Sequence, residues 1–243
     1  MLKLSNISLS FPTYYKKTFS VVEWACDKLF EHKSELSNSY KVLDNISCTI
    51  NKGETIAIIG KNGCGKSTLL KVIAGIYAPD SGSILGNNNV TSLLGLGTGF
   101  DNHLSGLENI YLNGLLIGLR KEEIDKKLEE IINFADIGSH INKPMKYYSS
   151  GMISRLSFAI SLAVDAEILL IDEIFSVGDL EFTNKSSKAM KDKLHSTSTK
   201  IIVSHNLSLV QELCQRVIVI NNKTIGYDGG INDGIEYYQN LIR

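Results

Sequence analysis

GETIAIIGKNGCGKSTLLKVIAGIY, residues 53–77, joins three different sequence patterns. Residues 56–59 form a continuous apolar run, which is typical of a central strand covered on both faces of a sheet. A glycine-rich loop follows, and from Lys66 onward apolar residues recur at helical spacing until the turn residues Ala78–Gly82. A strand that passes through glycines directly into a helix predicts an α/β fold built around this strand.

The rest of the chain shows how this unit is extended. Further strands are predicted at LKLSNISLSF, VLDNISCTI, EILLIDEIF, KIIVSH and the hairpin-like RVIVINNKTIG. Two amphipathic helical patterns, SGLENIYLNGLLIGL and KEEIDKKLEEIINFADI, follow one another from Ser105. Strands separated by helical segments predict a mainly parallel sheet. The helical block over residues 100–160 is expected to be a subdomain inserted into a single domain of residues 1–243.

The composition is that of a folded protein without a strong charge bias. The 243 residues are 43% hydrophobic and 21% charged, and the net charge is −1, so no overall field attracts nucleic acid. The four cysteines are too scattered for a disulfide framework or a CxxC metal site, which favours a reducing cytoplasm. The first residues alternate like a strand and lack the apolar block of a signal peptide. We therefore expect any membrane contact to be made through another protein.

The loop after the first central strand carries a phosphate-binding pattern. GKNGCGKST, Gly60–Thr68, matches the spacing GxxxxGK[ST] between a strand and a helix. Glycines let backbone N–H groups surround an anion, and the dipole of the following helix favours negative charge at the same place. Lys66 is expected to reach the β- and γ-phosphates of a nucleotide, and Ser67 to hold Mg²⁺. Cys64 occupies a variable position of the motif, so a reactive thiol is not expected.

Three polar residues end two further apolar strands. Asp172 and Glu173 close ILLIDE, and His205 closes IIVSH. Open α/β sheets bind their ligands at the carboxyl ends of the strands, so these residues are expected near the phosphate loop. Asp172 would bond to the magnesium shell, Glu173 would orient and polarise the attacking water, and His205 would point at the same edge. These pieces alone are compatible with a kinase, a GTPase or a helicase.

The turn YSSGM, residues 148–152, decides among these classes. It resembles the LSGGQ signature of the nucleotide-binding subunits of ABC transporters, and the resemblance extends over nearly the whole chain. SVGD, residues 176–179, aligns with the D-loop of that family through Asp179, and His205 aligns with its switch histidine. The fold class that this implies is α/β, a P-loop NTPase core with a mainly parallel sheet, an antiparallel N-terminal β subdomain and an inserted α-helical subdomain.

The resemblance implies that the nucleotide site is shared between two copies of the chain. In the family two subunits pack head to tail, and each ATP lies between the phosphate loop of one and the signature turn of the other. Ser149 would donate its hydroxyl and Gly151 its backbone N–H to the partner's ATP, with Ser150 and Met152 completing the turn. Ser149 is also a normal helix N-cap residue, and the two roles are compatible. ATP and Mg²⁺ are the implied cofactors, and a homodimer is the implied working form.

The resemblance assigns a set of nucleotide-binding residues. In the family, adenine stacks on an aromatic side chain at the end of the first strand. Phe11 aligns best with it, while Tyr14, Tyr15 and Tyr40 stay open as alternatives, as does a core role for Phe11. The expected ATP-binding residues are Phe11, Gly60, Asn62, Gly63, Cys64, Gly65, Lys66, Ser67, Thr68 and Asp172, of which Ser67 and Asp172 would hold the metal ion. Glu173 and His205 are the expected catalytic residues.

Departures from the family pattern point to one subgroup. Ser150 replaces the first glycine of LSGGQ and Met152 replaces its glutamine. No glutamine stands at the Q-loop position, where Gly95 is the nearest match. The combination of GLGTGF, LSGLENIYLNG, YSSGM and VGD with Phe182 and Lys185 is similar to the ATPase subunits that export finished polysaccharides, namely O-antigen, capsule and the related teichoic acids.

This subgroup implies the partners and the location of the protein. We expect a peripheral subunit at the cytoplasmic face of the bacterial inner membrane, docked on two copies of an integral membrane permease that exports a lipid-linked polysaccharide. Teichoic acid is an alternative cargo. A soluble ABC-type ATPase acting on ribosomes or DNA is a rival, but the near-neutral charge argues against it, so no nucleic-acid partner is expected. The chain after His205 is expected to be too short for the glycan-reading β-sandwich of some relatives, so glycan choice would lie elsewhere.

An amphipathic helix is predicted between the first two strands, over residues 19–38. Val22, Cys26 and Leu29 lie on one helical face, and acidic residues lie largely on another. One interpretation is a helix that packs on the protein's own core. The other is a helix laid against a membrane partner, since exporters of this subgroup often carry an inserted helix at this position.

Overall fold

The computed structural model describes residues 1–12, 39–86, 90–92, 99–172, 180–194 and 198–242. The described strands are β1 (Leu2–Pro12), β2 (Ser39–Ile50), β3 (Thr55–Gly60), β4 (Ser81–Leu85), β5 (Val90–Ser92), β6 (Ile168–Asp172), β7 (Thr199–Val203), β8 (Arg216–Asn221) and β9 (Thr224–Gly229). The described helices are α1 (Lys66–Ile73), α2 (Gly106–Leu116), α3 (Lys121–Ala135), α4 (Ser150–Ala163), α5 (Leu180–Leu194), α6 (Leu207–Leu213) and α7 (Ile231–Ile242). Two 3₁₀ turns, Gly138–Asn142 and Met145–Tyr147, connect α3 to α4.

A mixed sheet with strand order β5-β6-β7-β3-β8-β9 forms the centre of the fold. Its neighbouring strands are parallel except β8 and β9, which form an antiparallel pair. In β3 the side chains of Ile56 and Ile58 pack into the core on one face, and those of Ala57 and Ile59 pack into the core on the other. The predicted central strand is thereby confirmed, because a strand covered on both faces needs apolar residues at every position.

One face of the mixed sheet is covered by a separate antiparallel sheet. Its strand order is β2-β1-β4, and its pairs are all antiparallel. Leu4 of β1 and Leu43 of β2 share one buried core with Leu70 of α1 and Ile58 of β3. The antiparallel N-terminal subdomain is therefore confirmed, and α1 lies between it and the central sheet.

The opposite face is covered by helices. Phe182 and Met190 of α5 and Val210 of α6 pack into the core beneath β3, β7 and β8. The helices α2, α3 and α4 enclose a third buried core of their own, which confirms the inserted helical subdomain. Phe134 of α3, Phe158 of α4 and Phe182 of α5 contact one another with ring centroids 5.7–6.1 Å apart. This aromatic contact joins the subdomain to the helices of the central layer.

Helix α1 ends four residues earlier than its apolar pattern suggested. The helical pattern continues to Tyr77, but the helix ends at Ile73. Gly75 has φ of +72° and donates its N–H to Val72 O, while the N–H of Ile76 is donated to Lys71 O. These two bonds form a Schellman ending, in which a left-handed glycine satisfies the last carbonyls of the helix.

The last helix, α7, is missing from the sequence prediction. Glycines at its start and Gly234 within it weaken a helical pattern. The structure supplies the reason for Gly234, because a Cβ there would lie 2.2 Å from Val217 Cγ1 of β8. The glycine thus lets α7 pack closely on the sheet, and this packing outweighs the poor helix propensity.

Several sequence predictions fall on parts of the chain that the structure does not describe. The inserted helix of residues 19–38, the Q-loop position Gly95, the carboxylate Glu173 and the D-loop residue Asp179 all lie outside the described residues. Those predictions stay predictions. Among the described helices, none combines the length and the apolar character that crossing a bilayer requires.

A half-buried ion cluster ties the two sheets together at the edge away from the phosphate loop. Arg216 at the start of β8 bonds to both carboxylate oxygens of Asp228 on β9, at 2.5 and 2.7 Å. Its Nη1 also donates to Glu54 Oε1 at 3.1 Å and to Thr49 O of β2 at 2.9 Å. The hydrogen bonds that Arg216 donates to Asp228 raise the pKa of the Arg216 guanidinium above its ordinary value. Bidentate pairing of this kind is the strong form of an ion pair.

We predict that Arg216→Met lowers the free energy of unfolding by about 1–3 kcal/mol, because two half-buried carboxylates and a carbonyl lose their partner. Denaturant unfolding followed by circular dichroism measures the change. Lys41→Met is the control, since it breaks an ion pair with Asp44 whose side chains are 48% and 43% exposed. That change should cost no more than ~0.5 kcal/mol. Equal losses in the two variants would contradict a structural role for the cluster.

Candidate functional site

The loop between β3 and α1 is shaped by two close approaches that only glycine allows. A Cβ at Gly60 would lie 2.5 Å from Ile220 O of β8. A Cβ at Gly65 would lie 2.9 Å from both Val42 O and Leu43 Cδ2 of β2, and Gly65 has φ of +108°. The loop is therefore pressed between the central sheet and the antiparallel sheet. Its end at Gly65 is also the N-cap of α1, so the first N–H groups of that helix face the loop.

Lys66, the first residue of α1, lies across this loop. Its side chain is buried, and its Nζ donates hydrogen bonds to Gly60 O at 2.9 Å and Lys61 O at 3.1 Å. Among the described residues, the acceptors of this buried ammonium are neutral carbonyls. An added anion would strengthen its bonding, because a bond to a charged acceptor is stronger than one to a carbonyl. The arrangement therefore places a cation where the motif requires one.

A cleft of about 370 Å³ opens beside Lys66 at the carboxyl edge of the sheet. Its lining residues come from the loop, from α1 and from the ends of β6 and β7: Asn62, Gly63, Lys66, Ser67, Asp172, Val203 and His205. The structure thus brings the phosphate-loop residues together with two strand-end residues that lie more than 100 positions later in the chain. β6 and β7 are paired in parallel with Asp172 opposite Val203, which places both at the same edge.

Ser67 and Asp172 together fit a magnesium site. Both line the cleft, and they offer a hydroxyl and a carboxylate, the hard oxygen donors that Mg²⁺ prefers. Mg²⁺ is usually held by one or two protein oxygens and completes its shell with water and phosphate. Within the described residues, no group of three or more His, Cys, Asp or Glu side chains forms a metal site. Ser67 and Asp172 would therefore supply two protein ligands to a metal ion that is bound together with phosphate.

The remaining predicted residues of the loop lie around the cleft. Thr68 is half-buried in the first turn of α1, and Cys64 packs against the core under the antiparallel sheet. Burial raises the pKa of the Cys64 thiol, which keeps the thiol protonated near neutral pH and agrees with the absence of a reactive role. His205 is exposed at the end of β7, directly before Asn206, which caps α6 by accepting from Leu209 N.

The signature turn lies at the start of α4 and does not line the cleft. Ser149 is the N-cap, and its Oγ accepts a hydrogen bond from Met152 N at 3.2 Å. Ser149 and Ser150 are exposed, and Gly151 and Met152 are half-buried. Around Gly151 the space is open, because among the described residues only Ser149 Oγ, at 3.8 Å, would lie within 4 Å of a Cβ built there. The helix N-terminus is accessible to an anion, and its residues are not among those that line this chain's own cleft.

Three aromatic side chains meet near the end of β1. Phe11 pairs with Tyr40 across β1 and β2, and its ring contacts the edge of Tyr77 at 5.3 Å between centroids. Phe11 is 36% exposed and Tyr40 is 54% exposed, so both offer ring surface to a ligand. Neither lines the cleft, and the assignment of Phe11 to adenine stacking stays a prediction. Tyr14 and Tyr15 lie outside the described residues.

Sequence reasoning missed two residues of this region. Val203 lines the cleft as the last residue of β7, and Tyr77 holds Phe11 in place while Lys71 Nζ lies 5.6 Å from its ring centroid. The sequence does not mark Val203 as a cleft residue, because its pattern is that of any residue in an apolar strand. Tyr77 had a signal, since it is the last aromatic residue before the turn at Pro79, but its partner on β1 is distant in sequence.

Comparison with known proteins gives a consistent result. Residues 43–176 match the family described as ABC transporter. The O-antigen export system ATP-binding protein RfbB of Klebsiella pneumoniae is 37% identical over 100% of this chain and 98% of its own length. The teichoic acids export ATP-binding protein TagH of Bacillus cereus is 38% identical over 100% of this chain, which corresponds to 43% of that protein.

Solved structures show the same fold at lower sequence identity. A dimeric ATP-binding cassette in a post-hydrolysis state bound to ADP and Pi superposes with a TM-score of 0.69 at 20% identity, over 95% of this chain and 99% of its own. A structure described as the ATP-binding subunit of an ABC transporter superposes with a TM-score of 0.72 at 18% identity, over 98% of this chain and 93% of its own.

We predict that Gly65→Ala weakens ATP binding by about tenfold or more, because the new methyl group would collide with a backbone carbonyl and a packed leucine and displace the loop. Titration of the purified chain with a fluorescent ATP analogue measures the affinity.

Gly75→Ala is the matched control for this substitution. Gly75 has a left-handed φ of +72°, like Gly65 at +108°, but no described atom lies within 4 Å of a Cβ built there. Both variants carry backbone strain, and only one has the collision, so Gly75→Ala should bind ATP within about twofold of the unmodified chain. Equal loss of affinity in both would show that strain, and not the close approach, governs the loop.

Proposed function

Because this chain belongs to the ABC transporter family, we propose that it is the ATP-hydrolysing subunit of a bacterial exporter of lipid-linked polysaccharide, of the O-antigen or capsule type. The observation that carries the proposal is the end-to-end match to O-antigen export ATP-binding proteins, which covers 98% of their length. The subgroup residues around the signature turn support it independently, since they lie outside the general ATPase motifs.

The cleft supplies the groups that phosphoryl transfer to water requires. Lys66 exchanges its bonds to two loop carbonyls for bonds to the β- and γ-phosphates, and the N–H groups of the loop and of α1 surround the same oxygens. Ser67 and Asp172 hold Mg²⁺, which when bound neutralises charge on the phosphate oxygens. Positioning and charge neutralisation account for most of the catalysis in this class of reaction.

Two residues at the carboxyl edge handle the attacking water. Glu173 follows Asp172 directly, and in the proposed mechanism its carboxylate orients and polarises the water. His205 lines the cleft from the end of the neighbouring strand β7 and is the polar group proposed to contact the γ-phosphate side. Asp172 is the last residue of β6 and His205 lies two residues after β7, so the reaction depends on the parallel pairing of these strands beside Ser67 of α1.

Each site is completed by a second copy of the chain. The turn Ser149–Met152 lies at a helix N-terminus with Ser149 and Ser150 exposed, and none of its residues lines the chain's own cleft. In the proposed head-to-tail homodimer, Ser149 Oγ and the Gly151 N–H bind the γ-phosphate held by the partner, and Asp179 lies in the contact between the two copies. The open space around Gly151 fits this role, because a backbone N–H can approach an anion only where no side chain intervenes.

The dimer couples to a membrane protein in this proposal. Two copies of an integral permease sit above the ATPase pair at the cytoplasmic face of the inner membrane, and closure of the dimer on two nucleotides drives the permease. The amphipathic helix of residues 19–38 is proposed as part of the docking surface. Teichoic acid is a second candidate cargo, favoured by the TagH relatives, which match this chain at the same level of identity.

We predict that Glu173→Gln retains ATP and accumulates a stable dimer, because ATP binding is intact while the attacking water is poorly activated. The rate of ATP turnover should fall by about 10²–10⁴-fold. Adding Gly151→Asp should abolish this dimer, since a carboxylate then faces the partner's γ-phosphate, and should leave the ATP affinity of the single chain unchanged. Light scattering after gel filtration with ATP and Mg²⁺ measures the dimer.

Gly230→Asp provides the matched control for Gly151→Asp. Gly230 is an exposed glycine that directly precedes α7, and no described atom lies within 4 Å of a Cβ built there. It therefore places the same charge at the N-terminus of a helix remote from the signature turn, and the ATP-bound dimer should persist. Monomers of Glu173→Gln at saturating ATP would refute the shared site.

We also predict that Leu29→Glu impairs export in cells more than it impairs ATP hydrolysis in solution, because it places a charge on the apolar face of the proposed docking helix. Glu31→Gln, on the acidic face, should affect neither. The test compares the amount of polysaccharide at the cell surface with the ATPase activity of the purified chain. Chemical analysis of the polymer that is retained in the cytoplasm identifies the cargo. Equal loss of export and ATPase activity would indicate a folding role instead.

A further inference from the structure

A buried asparagine of α2 organises the segment that enters the helical subdomain. Asn109 is fully buried, and its Oδ1 accepts a hydrogen bond from Asp101 N at 2.8 Å. Its Nδ2 donates to Asp101 O and Ser105 O, both at 2.9 Å, and lies 3.3 Å from Leu104 O. One carboxamide thus binds both ends of the five-residue segment 101–105 and closes it into a fixed loop. A buried side chain with this many backbone partners is strongly positioned.

The same segment is hydrogen-bonded to the residues that precede the signature turn. Met145 N donates to Leu104 O and Lys146 N donates to Asn102 O, both at 2.9 Å. An antiparallel bridge pairs Ser105 with Pro144 next to them. The segment 144–146 therefore has its backbone position set by the segment 101–105. Only two residues, Tyr147 and Tyr148, separate it from Ser149.

A second contact, between Gly106 and Tyr148, joins the start of α2 to the residue that directly precedes the signature turn. Tyr148 is buried, and its hydroxyl donates to His140 O at 2.6 Å. A Cβ at Gly106, the first residue of α2, would lie 2.2 Å from that hydroxyl oxygen. The ring of Tyr148 therefore fits against α2 only because residue 106 has no side chain. Tyr148 directly precedes the N-cap Ser149, so this contact sets where α4 begins.

We propose that Asn109, together with the Gly106–Tyr148 contact, positions the signature turn Ser149–Met152 through the segments 101–105 and 144–146. Asn109 touches no nucleotide in this proposal and acts as a positioning residue. The inference rests on the proposed function, because it assigns a purpose to this turn in binding the partner's ATP. It also explains why LENI and a glycine before it occur together with YSSGM in this chain.

Backbone hydrogen exchange of the nucleotide-free chain tests the positioning directly. Asn109→Asp keeps the shape of the side chain but replaces the donor by an oxygen that faces three carbonyls. We expect amides of residues 101–105 and 144–152 to exchange about tenfold faster or more. Amides of the phosphate loop, residues 60–68, should be unchanged. Unchanged exchange over 144–152 would overturn the proposal.

Asn113→Leu is the matched control on the same helix. Asn113 is buried one turn after Asn109, and its Nδ2 finds no hydrogen-bond partner in the described part of the chain. Leucine replaces an amide whose Nδ2 makes no hydrogen bond to the described segments 101–105 and 144–146, so exchange over residues 144–152 should stay as in the unmodified chain. Equal acceleration in Asn109→Asp and Asn113→Leu would reduce the effect to general destabilisation of α2 and would also overturn the proposal.

A compensating pair guards against simple misfolding of Asn109→Asp. Gly106→Ala should accelerate exchange over residues 144–152, because its methyl group would displace Tyr148. Adding Tyr148→Phe removes the oxygen at 2.2 Å and leaves Ile141 atoms at 3.1–3.2 Å as the nearest neighbours. The double variant should therefore exchange more slowly than Gly106→Ala, although it stays faster than the unmodified chain because the Tyr148 hydroxyl bond to His140 O is lost. If the double variant exchanges as fast as Gly106→Ala, the Gly106–Tyr148 contact does not position the turn.

A final measurement separates this inference from the proposed function. In the Glu173→Gln background, Asn109→Asp should abolish the ATP-dependent dimer while ATP affinity of the single chain stays within about twofold. If the Glu173→Gln parent itself stays monomeric with ATP, the proposed function fails, and the exchange data still decide the positioning role. If the parent dimerises and Asn109→Asp dimerises equally well, the positioning role fails and the function stands.

Discussion

The close approach of the phosphate loop to two sheets is the constraint on which the rest of this structure depends. Gly60 passes β8 and Gly65 passes β2 at distances that exclude a Cβ. This packing holds the loop at the end of β3 and directs α1 so that its N-terminus and Lys66 face the carboxyl edge of the sheet. A side chain at either glycine would displace the loop, and the Lys66 cation, the helix dipole and the Ser67 hydroxyl would move with it.

Parallel strand packing then places the strand-end residues of the cleft beside the phosphate loop. β7 lies beside β3 and β6 lies beside β7, and all three strands run in the same direction, so Asp172 and His205 lie at the same edge of the sheet as Ser67. The apolar side chains of these strands pack into the cores on both faces of the sheet. The polar side chains of the cleft lie at the carboxyl ends of the strands, outside those cores. Binding chemistry and fold stability are therefore carried by different positions of the same strands.

The helical subdomain meets a different physical requirement, because in the proposed dimer its signature turn binds the nucleotide that is held by the partner. Ser149 must be exposed and the space around Gly151 must stay open, and both residues must still be held in place. Buried polar contacts behind the turn meet both needs, since Asn109 and Tyr148 hold its flanking backbone without occupying its surface. A similar division applies at the other edge of the sheet, where the Arg216 cluster joins the two sheets far from the cleft.

The sequence by itself determined the central strand, the phosphate loop, α1 and the strand-end carboxylate, because each is encoded in a short local pattern of apolar residues, glycines and charges. It also predicted a signature turn at residues 148–152, through a resemblance to a family. Only the tertiary structure decided the end of α1 at Ile73, the packing of α7 through Gly234 and the roles of Asn109 and Tyr77. Those outcomes depend on contacts between residues distant in the chain, and local periodicity carries no information about such contacts.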